Sequence, residues 1–129
     1  MSRVRRGLAL GALLAPLLAA GACDRHDVKQ QAAMLAQGSP DRGRALIPQY
    51  GCGSCHTIPG VSGANSLVGP PLAGIASRAY IAGVLTNEPQ HMVEWIEDPP
   101  AVDSLTAMPN MHVSDRDAHD IAAYLYTLR

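Results

Sequence analysis

Residues 52–56 read Cys52-Gly53-Ser54-Cys55-His56, and no other short stretch limits the possible folds of this chain so strongly. Two thiols separated by two residues admit three chemistries: a redox-active dithiol, half of a zinc site, or thioether attachment of a haem. A thioredoxin-like dithiol needs a βαβ context, and nothing in the chain alternates convincingly as a strand. A structural zinc needs about four ligands, and His26, His91, His112 and His119 form no second close pair. The imidazole directly after the second thiol selects haem. Two thioethers fix the edge of the macrocycle to the local turn, and the next side chain then faces the iron.

The first 22 residues imply export. Arg3, Arg5 and Arg6 form a basic segment, Leu8 to Ala20 is an apolar run broken only by Gly11 and Pro16, and Ala20-Gly21-Ala22 is a small-residue cleavage signature. Such a run is too short to span a bilayer as a stable helix. Residues 1–22 therefore read as a signal peptide of the general secretion route, since the surroundings of Arg5-Arg6 fit twin-arginine export poorly. Cys23 stands at the junction and resembles the lipid-modified cysteine of bacterial lipoproteins, although Ala20 occupies the place where Leu is usual. Acylation there would hold the chain to a membrane. The expected location is the periplasmic side of the bacterial cytoplasmic membrane, as a lipoprotein or soluble in the periplasm.

From Cys23 onward seven basic side chains face eleven acidic ones, the ten Lys and Arg less the three in the leader, for a net charge of −4. That balance argues against nucleic acid as a partner. The 107 residues that remain suffice for one small domain, with no Phe, one Trp and four Tyr to fill it. Something other than aromatic side chains is expected at its centre.

Residues 23–38 are polar and rich in Ala and Gln and read as a tether, with Cys23 as its candidate lipid anchor, leaving 39–129 as the domain. In "SPDRGRALIPQY", Ser39 is an N-cap, Pro40 the first helical residue and Asp41 a first-turn acid, with Pro48 expected to end the helix. "NEPQHMVEWIEDPP" predicts a short helix capped by Asn87 and stopped by Pro99-Pro100. Ser114 caps the clearest helix, where Ala118, Ile121, Ala122, Leu125 and Leu128 recur at helical spacing. The predicted fold class is all-α: about four helices with long loops wrapped around one covalently attached haem.

The segments "GRALIPQYGCGSCHTIPG", "VGPPLAGIASR", "TNEPQHMVEWIEDPP", "AMPNM" and "DIAAYLYTL" together resemble a class I c-type cytochrome. The likeness is closer to the cytochrome c domain fused to subunit II of some bacterial haem–copper oxidases, and it runs from about Asp41 to Leu128. The resemblance implies haem c attached through Cys52 and Cys55, His56 as one axial ligand, and Met108 of the Met108-Pro109 pair as the other. A thioether at the second position raises the potential relative to a second imidazole. Met111, three residues on, is the competing ligand, and otherwise soft core filler like Met92. Pro70 is implied as the carbonyl that accepts from the His56 ring, with Pro71 a departure from the pattern. Arg78 and Trp95 match positions that approach haem propionates, and each also reads as an ordinary surface or core residue; Tyr80 is a further candidate donor to a propionate. Gly43 and Tyr124 are expected to mark the crossing of the first and last domain helices. His91, His112 and His119 are expected at the surface.

With both axial positions filled no site remains for substrate, so the expectation is a one-electron carrier rather than an enzyme, in a periplasmic or membrane-associated respiratory chain. Its expected partners are redox proteins such as a quinol-oxidising complex or a terminal oxidase, met briefly through electrostatic steering. The alternatives are a haem subunit of a larger oxidase or dehydrogenase complex, a haem peroxidase or gas sensor, and a non-haem lipoprotein with a Cys52–Cys55 disulfide.

Overall fold

Ser39 accepts the Arg42 backbone N–H at 3.4 Å and opens a helix whose first residue is Pro40, as that run of residue types dictates. The computed structural model describes the backbone of residues 15–129 and the side chains from Asp24 onward. The expected signal peptide falls largely outside these residues, and the Cys23 side chain wholly so. In chain order the elements are α1 (Ala15–Ala36), α2 (Pro40–Gln49), a 3₁₀ turn (Cys52–Ser54) and a second (Ile75–Ser77). There follow a two-stranded hairpin of β1 (Tyr80–Ile81) and β2 (Leu85–Thr86), then α3 (Pro89–Glu97), α4 (Pro99–Val102) and α5 (Asp115–Leu125). The hairpin is antiparallel, with Tyr80 opposite Thr86 and Ile81 opposite Leu85. No described helix is long and apolar enough to cross a membrane. The domain is all-α in character.

The crossing of α2 and α5 organises the molecule. Gly43 is buried in α2, and a Cβ there would stand only 1.9 Å from the Asp120 carbonyl oxygen. Only glycine permits so close an approach of two backbones. Around it Ile47 meets the buried face of α5, made by Ala118, Ile121, Ala122 and Leu125 at the predicted spacing. The helix ends at Leu125, so Leu128 packs from beyond it. The Tyr124 hydroxyl donates to the Pro59 carbonyl at 2.5 Å, tying α5 to the loop after the cysteines.

Polar contacts lock the same crossing. Arg42 of α2 reaches Asp117 and Asp120 of α5, each at 3.1 Å, and the buried Asp120 also accepts the Ser39 N–H at 2.6 Å. The second oxygen of Asp120 meets Arg42 as an ion pair whose angle falls short of a hydrogen bond. Tyr50, at the C-terminal end of α2, donates to Asp117 at 2.7 Å. That hydroxyl, helped by Ser114 and Arg42, holds the Asp117 carboxyl below the usual carboxylate range.

Several local expectations change. Residues 24–36, read as a tether, are helical, and Ala32 and Ala36 lie buried in the core cluster that α5 shares. Small side chains four apart make a shallow face that packs closely despite a polar composition. Gly38 lets the chain leave α1 against α5, since a Cβ would lie 2.2 Å from the His119 carbonyl oxygen. His119 is accordingly half-buried rather than a surface residue, its ring Nδ1–H donating to the Ala36 carbonyl at 2.6 Å. Pro48 lies within the last turn of α2. Asn87 does not cap α3, where Glu88 holds that position, and Pro99-Pro100 starts α4 as well as ending α3.

Gly43→Ala should lower stability by about 3 kcal/mol, through backbone separation that core repacking cannot absorb. Ala45→Ser, on the exposed side of the same helix, should stay within about 0.5 kcal/mol; denaturant titration of both checks this. A depressed folded-state pKa means that Asp117 stabilises the fold above its unfolded pKa. That contribution fades as pH falls below about 4 and through the folded value. Tyr50→Phe removes the largest cause of the depression, so the stability difference between wild type and variant should shrink as pH falls from 5 to about 2.

Candidate haem-attachment site

The 3₁₀ turn follows α2 after Gly51, whose φ of 73° is left-handed and turns the chain out of the helix. The N–H groups of Cys55 and His56 both point to the Cys52 carbonyl, at 3.2 and 3.0 Å. The turn therefore brings both thiols and the imidazole into one loop. A Cβ on Gly53 would touch Ala64 at 3.0 Å, so the returning loop lies directly on the turn. The thiols are unpaired and half-buried.

Burial pushes the Cys52 thiol up, and the neighbouring Cys55 adds to the shift. A redox-active dithiol requires the opposite, a depressed first thiol. Among the described residues no group of three or more His, Cys, Asp and Glu side chains is placed to hold a metal ion.

His56 is held from behind. Its Nδ1 lies 2.7 Å from the Pro70 carbonyl oxygen. A carbonyl only accepts, so Nδ1 carries the proton and Nε2 of the neutral ring keeps its lone pair for a Lewis acid. The Gly69 N–H meets the Cys55 carbonyl at 2.7 Å, and a Cβ on Gly69 would lie 2.6 Å from the His56 ring. Glycine at 69 is thus what lets the Pro70 segment press against the imidazole.

Arg78 sends its Nη2 to the carbonyls of Pro71, at 2.5 Å, and Ala73, at 3.1 Å. The positions expected near propionates thus divide. Hydrogen bonds join Cys55, His56, Pro70 and Arg78 into one region, whereas Met108, Trp95 and Tyr80 stand on other segments. Trp95 is half-buried against the core and Tyr80 is 58% exposed. Met108 is half-buried, its N–H bonded to Thr106 Oγ1 at 3.2 Å. Met111 is more exposed, with its methyl carbon near Gly51.

The donors of the turn fit a covalently held haem: two unpaired thiols and an imidazole of fixed tautomer. Apolar side chains on the same segments agree with it. Leu67 and Val68, beside Gly69-Pro70, are 79% and 81% exposed, and Leu105, three residues before Met108, is 91% exposed. Such surfaces suit a flat apolar macrocycle. Sequence reasoning missed Asn87 and Tyr126. Asn87 donates to the Ile75 and Arg78 carbonyls, each at 2.8 Å, and accepts from the Tyr126 hydroxyl at 2.9 Å. An Asn before a Pro-initiated helix reads as a cap, and no local signal reveals these long-range partners.

The cytochrome c family model matches residues 40–129. A relative, cytochrome c oxidase subunit 2 of Alkalihalophilus pseudofirmus, is 30% identical over 90 residues, which make up 69% of this chain and 25% of that protein. The chain thus aligns with only about a quarter of that relative's length. No solved structure matches the chain. A helical domain built on this cysteine–histidine turn, matched by that family over residues 40–129, has one reading: the chain belongs to the cytochrome c family of haem-binding electron carriers.

Proposed function

We propose that the chain is a monohaem c-type cytochrome that carries single electrons in a periplasmic or membrane-associated respiratory chain. In this reading Cys52 and Cys55 hold haem c by thioethers, and His56 and Met108 are the axial ligands. The observation that carries it is the 2.7 Å contact between His56 Nδ1 and the Pro70 carbonyl. Fixing the tautomer and raising the basicity of a ligand imidazole is what such a bond does.

Bound haem supplies the one-electron Fe(II)/Fe(III) couple. The residues of the chain do the rest. The Gly51–Cys55 turn sets where His56 stands, Pro70 holds its ring, and Met108, stiffened by Pro109, offers a soft donor that favours ferrous iron. With His56 and Met108 both given to iron, no coordination position would remain for substrate, which favours a carrier over a peroxidase or gas sensor.

The oxidase subunit relative supports a second, related reading, a haem domain working within or beside a terminal oxidase. A quinol-oxidising complex would be the natural donor. The export signature and Cys23 support a lipid anchor on the periplasmic side of the membrane.

The ferric spectra of two variants test the ligand assignment. Replacing Met108 with His should abolish the weak thioether-to-iron charge-transfer band and lower the potential, since imidazole favours ferric iron. Met111→Leu should keep band and potential, with a stability change of about 1 kcal/mol. The reverse pattern would make Met111 the ligand.

A further inference from the structure

The Pro70 carbonyl that holds His56 belongs to no helix or strand. Pro70 and Pro71 have no N–H to anchor themselves, so the flanking bonds are Gly69 N–H to Cys55 and Leu72 N–H to the Thr57 carbonyl at 2.9 Å. Both lead back to the loop that carries His56. They set the Pro70 segment against the His56 loop, itself tied to α5 through Tyr124 and Pro59, but supply no reference to the hairpin side of the fold.

That reference comes from elsewhere. Arg78 Nη2 grips the carbonyls of Pro71 and Ala73. The Arg78 backbone is itself held: its carbonyl accepts one Asn87 amide proton at 2.8 Å, and the other goes to Ile75 at the same distance. With both amide protons committed to carbonyls, the Asn87 oxygen is left to accept the Tyr126 hydroxyl at 2.9 Å. Tyr126 is buried directly after α5, and burial pushes its pKa up to about 12, so the hydroxyl remains a donor at any ordinary pH. A continuous series of hydrogen bonds therefore runs from the end of α5 through Tyr126, Asn87 and Arg78 to the Pro70–Ala73 segment.

We propose that Asn87 and Arg78, braced by Tyr126, are positioning residues that fix the Pro70 carbonyl and through it the orientation and basicity of the His56 ring. The inference rests on the reading of His56 as an iron ligand. Arg78 keeps its Nε and Nη1 donors for other uses, so this role is separable from any contact with a propionate.

The test uses holoprotein carrying Asn87→Ala, Arg78→Met or Tyr126→Phe, with Ser39→Ala as a control that removes only the α2 cap bond. Exchange of the His56 Nδ1 proton is followed by NMR in the ferrous state, and the midpoint potential is measured across pH. Exchange should be at least about tenfold faster in Asn87→Ala and Arg78→Met and unchanged within about twofold in Ser39→Ala, each positioning variant also shifting the potential. Tyr126→Phe, which loses a single oxygen, should show the same direction and keeps the test readable if Asn87→Ala fails to fold. Unchanged exchange in these variants, with haem still covalently bound, overturns the proposal. So does an Arg78→Met variant that alters only the pH dependence of the potential, which assigns Arg78 to a propionate instead. A wild-type protein without covalent haem overturns the functional reading itself, a separate outcome.

Discussion

Everything in this molecule hangs on the contact between Gly43 and the Asp120–Ile121 backbone, where α2 and α5 cross closely enough to exclude a single methyl group. The crossing fixes the direction in which α2 ends, and the cysteine turn starts three residues after that end. It also fixes α5, whose C-terminal end supplies Tyr124 to the Pro59 carbonyl and, just beyond, Tyr126 to Asn87. The two sides of the His56 site are thus both referred to one helix pair. Arg42, Asp117, Asp120 and Tyr50 add a polar clasp to the same joint. An electron carrier benefits from such rigidity, because geometry that stays constant between oxidation states lowers the cost of each transfer.

The chemistry of the site is set by what its neighbours forbid. A half-buried Cys52 thiol with a raised pKa makes a poor exchange catalyst, and an Nδ1 committed to Pro70 leaves one ring nitrogen with its lone pair free. Gly69, which the ring would otherwise strike, shows how tightly that commitment is built. The exposed Leu67, Val68 and Leu105 flank the residues that would hold the haem. In a chain without Phe they are apolar surface that a flat macrocycle would cover.

Much of this was legible in the residues themselves. The five residues Cys52 to His56, the Ser39 and Ser114 caps and the spacing of Ala118, Ile121, Ala122 and Leu125 each act locally, so their patterns survive in the linear text. The Pro70 contact, fourteen residues from His56, was available only through family resemblance, and the structure bears it out. What stayed hidden depends on distant partners. The packing of Ala32 and Ala36 was masked by polar neighbours in α1, and the His119 bond to Ala36 spans 83 residues. Asn87 looked like a cap because its real partners, Ile75, Arg78 and Tyr126, lie 9 to 39 positions away.

The central claim is that the Cys52–His56 turn is a haem-attachment site, and mass spectrometry of the denatured, periplasmically expressed protein tests it most directly. The account predicts the chain mass plus one haem that resists acid–butanone extraction, with Cys52 and Cys55 both unreactive toward an alkylating agent. A chain of unmodified mass in which both thiols alkylate, or in which they are joined as a disulfide, would contradict it.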